Sequence, residues 1–335
     1  AYGQLGNGTY TSSTLPNPLS KLSNVIQIAG GGDHSLALKS DGTVWAWGDN
    51  SVGELGEGTT QKHNSPVPVK KVAHIVQVTG GKHHSLALTS EGRVWSWGWN
   101  SEGQLGNGTY TDSCLPIKVL NLPHVVQIAG GGTHSLALRA DGTVWAWGEN
   151  SFGELGDGTT QNRNTPAQVV GLTSIVQVSA GKYHSLALKS DGTTWAWGYS
   201  EHGQLGDGTT QSQKAPIQVT GLTDVVQVAG AKHHSLALKA DGTVWAWGEN
   251  VFGQLGDGTI TERHSPVQVV ELAHIVQVAG AYTHSLALKS DGTVWAWGTN
   301  EYGQLGNGGT NSSSLPIIVP SLTQQTYLSA SGFHS

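Results

Sequence analysis

Seven histidines stand at a fixed interval in the chain. Each opens a His-Ser pair, at His34, His84, His134, His184, His234, His284 and His334, and every interval is 50 residues. Imidazoles in such number invite metal ligation or proton transfer. Their spacing argues against both. Equivalent residues of stacked sheets lie ~10 Å apart, whereas a zinc ion holds its nitrogens at ~2.0–2.1 Å. The expected role is a hydrogen bond to backbone where a strand begins. His83-His84 and His233-His234 are adjacent, and strand neighbours point to opposite faces, so these pairs do not chelate. No metal site is expected.

Gly-[Gln/Glu]-Leu-Gly loops begin at Gly3, Gly53, Gly103, Gly153, Gly203, Gly253 and Gly303. They lack the lysine of a phosphate loop and do not open a helix. The residue after the second glycine is Asn7, Glu57, Asn107, Asp157, Asp207, Asp257 or Asn307. Exchange between acid and amide there suits turn chemistry rather than acid–base work. The single cysteine, Cys114, replaces Asn64 or Asn164 of other copies and reads as incidental. Sequons at Asn7, Asn107 and Asn311 follow largely from the repeat itself. With no nucleophile beside a base and no cofactor motif, the chain reads as a non-enzyme without a cofactor.

The elements that carry these residues repeat with the same period. Trp-x-Trp-Gly recurs from Trp45 to Trp295 in six units, accounting for 12 of the 13 tryptophans. Val25–Ala29, His34–Leu38, Thr43–Trp47 and Pro66–Val69 read as four short strands. Asp41-Gly42 is a tight hairpin turn, and the prolines of the fourth strand place it at an edge. The continuously apolar middle strands point to burial on both faces, with indoles filling the layers between sheets. Four antiparallel strands per ~50 residues describe a β-propeller.

The 335 residues include 48 glycines, are 12% charged and carry a net charge of −6. No basic block is present, so neither nucleic acid nor an anionic membrane is an expected partner. Apolar runs of about five residues fall far below the ~18 of a membrane span. The absence of methionine reads as a processed or excised stretch. Low charge with abundant Thr, Ser, Asn and Gly leans toward a secreted or cell-surface protein.

His-Ser-Leu-Ala-Leu, then Asp-Gly-x-Val-Trp-x-Trp-Gly-x-Asn, then Gly-Gln-Leu-Gly-[Asn/Asp]-Gly resembles the regulator of chromosome condensation repeat, here of a bacterial kind. The resemblance covers essentially the whole chain. It implies an all-β, seven-bladed propeller formed by one domain, 1–335, with repeats in register 1–50, 51–100, 101–150, 151–200, 201–250, 251–300 and a partial 301–335. It also implies a closing blade shared by both chain ends. In that blade Tyr327–Ala330 would be the inner strand and Pro16–Leu19 the outer, and 15 residues of the two middle strands are missing. Three explanations of the deficit stay open: a longer chain that was trimmed, a hairpin or second copy of the chain added at the exposed edges, or a ring that closes with a thin or six-bladed arrangement.

The copies serve as one another's comparison set. The Ser40-Asp41-Gly42 turn barely changes, whereas three places differ from copy to copy. They precede His-Ser, follow Trp-Gly, and precede the glycine loop. In an up-and-down sheet the loops after the first and third strands emerge at the same end, opposite the Asp-Gly turn. The variable set therefore shares one face, and it holds Trp99, Tyr199, Tyr183, Phe152, Phe252, Tyr302, His83, His233, Lys182 and Lys232. Tyr and Trp often anchor protein interfaces. The expected function is a non-catalytic protein-binding propeller, a scaffold or inhibitor, with its aromatic face as the docking site. Guanine nucleotide exchange on a small GTPase is the alternative that the resemblance implies. A lectin-like sugar site is a further one, although a rim that differs in every copy suits a single asymmetric partner better.

Overall fold

Each Val/Ile-rich run pairs with the His-Ser strand that follows it, and that strand pairs in turn with the Trp-x-Trp strand. In the first blade the strands are β1 (Val25–Gly30), β2 (His34–Lys39), β3 (Val44–Gly48) and β4 (His63–Pro68). Ala29 lies opposite Leu36, Leu36 opposite Ala46, and Ala46 opposite Val67. The proline-bearing β4 pairs on one side only, as a strand lacking donors must. At the hairpin, Asp41 Oδ1 accepts from Thr43 N at 3.0 Å, and Gly42 takes the positive φ of +79° that the turn requires. The computed structural model describes residues 2–19, 22–320, 322–332 and 334.

Successive sheets stack through their apolar faces. Leu36, Leu38, Val44 and Ala46 of the first blade meet Ile75, Val78, Ala87 and Trp97 of the second, and the same layer recurs between later blades. The second indole of each Trp-x-Trp pair finds an acceptor in the glycine loop that precedes its blade. Trp97 Nε1 donates to Glu54 O at 2.8 Å, and Trp147 Nε1 to Gln104 O at 2.8 Å. Gln27 clamps the next blade through Nε2 to Val78 O and through its own Oε1 from Val78 N.

The repeated histidines also link blades, but not through backbone as expected. His34 Nε2 lies 2.9 Å from Ser85 Oγ of the next blade, and His84 Nε2 lies 2.9 Å from Ser135 Oγ. The serine sits one residue beyond the next histidine, so the His-Ser dipeptide is one half of two successive links. Burial pushes His34, His84, His184, His234 and His284 down to about 3, and His134 and His334 to about 4. They are neutral at pH 7 and serve as structural hydrogen-bonding groups.

The expected blade count is corrected. The described residues form six four-stranded sheets, not seven. The physical reason lies in the two chain ends. Neither Pro16–Leu19 nor Tyr327–Ala330 becomes a strand, and between Ser331 and His334 there is a single isolated bridge. A strand needs a hydrogen-bonded neighbour, and neither segment has one among the described residues. A cleft of about 800 Å³ takes its place between the sixth and first blades.

Candidate functional site

The variable positions converge through backbone pairing at one end of each blade. The residue after Trp-Gly donates to the carbonyl of the residue before His-Ser. Trp99 N bonds His83 O at 2.8 Å, Tyr199 N bonds Tyr183 O at 2.9 Å, and Glu249 N bonds His233 O at 2.8 Å. Two of the three variable places are thus neighbours in each of the six sheets. The third, before the glycine loop, reaches the following blade, because that loop packs on the next blade's tryptophan.

On the third to fifth blades this geometry assembles an aromatic cluster. Phe152 of the third blade lies 4.8 Å from the Tyr199 ring and 6.3 Å from that of Tyr183, both on the fourth. Tyr183 stacks on His233 of the fifth blade at 5.6 Å, with 23° between planes. His202 completes the group, 5.0 Å from His233. Edge contacts and offset stacks of this kind hold rings in place. Phe152 remains exposed, Tyr183, Tyr199 and His202 are half-buried, and His233 is buried.

Polar groups frame the rings. Tyr199 donates its hydroxyl to Glu201 at 2.6 Å, and His202 Nδ1 lies 2.7 Å from Glu262. Burial and then the Glu201 carboxylate push Tyr199 up to about 12. Burial, with Lys232 second, pushes His233 down to about 3, so it presents a neutral ring. Lys182 Nζ sits 4.6 Å from the Tyr183 centroid and 5.7 Å from that of Tyr282, and burial lowers its pKa. Lys182 and Lys232 also line a small hollow formed by the glycine-rich ends of the first strands.

Of the ten residues singled out from sequence, Phe152, Tyr183, Tyr199, His233 and Lys182 come together here. Trp99 and His83 form a separate pair on the second blade, 6.0 Å apart. Phe252 and Tyr302 lie exposed on the fifth and sixth blades. His202 and Tyr282 were missed. Both occupy variable positions, but only the rotation between blades shows that they meet the others.

A second grouping was also missed. Asp49, Glu54 and His83 bring one potential ligand atom each within 4.8 Å of one another. His83 Nδ1 lies 3.6 Å from Glu54 Oε1. Burial, and next the Asp49 charge, raise the nearby Asp33 carboxyl. The donor types suit a cation, but ligands sharing one tetrahedral ion stand roughly 3.5 Å apart, so the set is wider than a formed site.

The RCC1-like domain family matches residues 73–335, and the regulator of chromosome condensation (RCC1) repeat matches residues 1–38 and 41–88. The ultraviolet-B receptor UVR8 of Arabidopsis thaliana is 47% identical over 51 residues, which span 15% of this chain and 12% of that protein. Human WBSCR16 superposes with a TM-score of 0.86 at 27% identity, covering 95% of this chain and 87% of its own. Prp20p of Saccharomyces cerevisiae, described with its binding properties to Gsp1p and histones, gives 0.86 at 25% identity over 99% and 87%.

Proposed function

The chain belongs to the RCC1-like domain family, and from that membership we propose that it is a non-catalytic protein-binding propeller whose docking surface is the aromatic rim of its third to fifth blades. The observation that carries this reading is the gathering of Phe152, Tyr183, Tyr199, His202 and His233 from three blades. Phe152 is open to water, Tyr183, Tyr199 and His202 are half-buried, and the group, seated on the buried His233, is fringed by Glu201, Glu262 and Lys182. Rigid aromatics lose little conformational freedom on binding and pack a partner closely. The likeness to Prp20p supports a protein as the ligand.

The test is retention of proteins from the native source by the intact chain and by a Phe152→Ala, Tyr199→Ala double variant. Gsp1p and histones serve as defined probes in calorimetry. Loss of the same partner from the double variant is expected. Equal retention removes this face as the docking site. The second reading, guanine nucleotide exchange, is supported by the Prp20p likeness and by the family resemblance. Accelerated nucleotide release from a small GTPase would establish it in place of the first.

A further inference from the structure

The repeat sets three positions beside one another where successive blades meet. They are the residue after Trp-Gly, the Gln or Glu of the glycine loop, and the residue before His-Ser of the next blade. Contacts between them recur around the ring. Gln254 Nε2 donates to Glu249 Oε2 at 3.2 Å, which joins the first two positions, and Gln4 Nε2 donates to Asp33 Oδ1 at 3.4 Å, which joins the last two. A glycine makes room for the meeting: a Cβ added at Gly98 would lie 2.5 Å from His83 O and 3.3 Å from Glu54 Cα.

Between the first and second blades all three positions carry groups that bind metal ions, namely Asp49, Glu54 and His83. The copies differ here. In the fifth, Gln254 and Glu249 satisfy each other as donor and acceptor. Asp49 and Glu54 are both carboxylates, which only accept when ionised. The third copy also has two acids, Glu149 and Glu154, but Tyr183 stands in place of the imidazole and Glu149 accepts from Thr133 instead.

Glu54 supplies the observation that points to a ligand. It is fully buried, and its Oε2 is held by Val52 N at 2.9 Å. Its Oε1 is buried with no hydrogen-bond partner among the described residues and faces His83 Nδ1 at 3.6 Å. A buried acceptor without a donor is destabilising unless something else meets it. The matching atom is also unmet in Gln104 and Gln204, but there it is an amide nitrogen, which donates and does not bind a cation. Asp49 Oδ2 accepts from Ser51 Oγ at 3.0 Å, the kind of support that orients a metal ligand. Three atoms no more than 4.8 Å apart lie within about 2.8 Å of one point. Bonds of ~2.0–2.2 Å then draw each atom in by less than about 1 Å. Asp49 and His83 are partly open to water and can turn by that much, while Glu54 is already fixed.

We propose that Asp49, Glu54 and His83 bind one divalent transition-metal ion of the zinc type, which clamps the first blade to the second at the variable end of the ring. One imidazole nitrogen with two carboxylate oxygens and no thiolate suits zinc, cobalt or manganese. Magnesium and calcium prefer oxygen alone. Three protein ligands leave a fourth position open to water. His83 ligates together with the preceding blade and not with the adjacent His84, which points to the opposite face. The site is separate from the aromatic cluster and does not depend on the function proposed for that cluster.

The probe is zinc chloride, titrated by calorimetry into the whole chain after treatment with a chelator and dialysis. One ion per chain is expected to bind with micromolar or tighter affinity, and to raise the melting temperature by about 3 °C at a hundredfold excess over Kd. Glu54→Gln installs the residue that stands at this place in Gln4, Gln104, Gln204, Gln254 and Gln304. It should therefore fold without loss of melting temperature, yet bind zinc at least tenfold more weakly. His83→Ala should weaken zinc binding by a similar factor. Magnesium at the same concentration should not displace the zinc. The absence of binding below millimolar zinc overturns the proposal, as does an affinity unchanged by either substitution. Displacement by equimolar magnesium overturns it too.

Discussion

The cleft and the aromatic rim both leave apolar side chains open to water, but they are built from opposite kinds of position. Val25, Ile28 and Gly306 are residues on which the copies agree, and elsewhere in the ring the same positions are covered by the neighbouring blade. Phe152, Tyr199 and His202 stand where the copies differ, and no blade is shaped to cover them. An exposed position of the first kind is one that the repeat covers at its other junctions. One of the second kind is free to serve a foreign partner, as proposed for the rim. Exposure alone does not separate the two; comparison among copies does.

The sharpest way to break the shared frame is acid. The interior histidines have folded pKa values near 3 to 4, below the ordinary imidazole range. The unfolded chain therefore binds more protons between roughly pH 6.5 and pH 3. Stability is fully present above the unfolded value and is lost as pH falls through that window. Each buried imidazole costs about 2 kcal/mol between pH 7 and pH 5. Denaturant melts should thus show a steep loss over that interval, and a flat profile would contradict the buried His–Ser links.

Indole deletion compares a closed junction with the open one. Trp197 is sealed between the third and fourth blades, whereas Trp47 borders the cleft. Trp197→Ala is expected to cost about 4 kcal/mol. Trp47→Ala should cost less, because the layer that Trp47 fills borders the cleft and is less completely packed, although the ring itself is buried. Equal losses in urea melts would mean that the cleft is closed in solution.

On the rim the effect moves from folding to binding. Tyr199→Ala should weaken partner binding by about 2 kcal/mol, roughly 30-fold, and alter stability by no more than about 0.5 kcal/mol. Trp99→Ala, on a different blade and outside the cluster, should weaken it less. A larger effect at Trp99 would move the docking site toward the second blade.

The smallest change concerns Glu154, where most other copies carry glutamine. Burial raises its carboxyl to about 7. Its contribution is intact below the ordinary carboxylate range and is lost as pH rises through that value. Glu154→Gln should therefore stabilise the chain at pH 8, and the gain should shrink as pH falls toward 4. A gain that does not depend on pH would point to packing instead.

The strands and their junctions were legible in the sequence because they are periodic. The 50-residue interval, the Asp-Gly turns and the paired tryptophans place β1 to β3 within a residue of where they fall; β4 begins three residues earlier than expected. The sheet count was not legible. Family resemblance supplies a closing blade, but Tyr327–Ala330 and Pro16–Leu19 cannot form strands without the pair between them. The role of the histidines was half legible: a structural task was expected, but the serine of the next blade was not. Phe152 and Tyr199 could be singled out as variable aromatics. Their contact with His233 depends on the rotation between sheets, which a single repeat does not reveal. Trp99 stood out by its type, yet the fold places it elsewhere.

The most direct test of the rim as a docking surface is one titration carried out twice. The partner captured by the intact chain is titrated into the wild type and into the Phe152→Ala, Tyr199→Ala variant, with thermal unfolding of both recorded alongside. The account predicts matching melting temperatures and an affinity at least 30-fold weaker for the variant. Matching melting temperatures with unchanged affinity would contradict it.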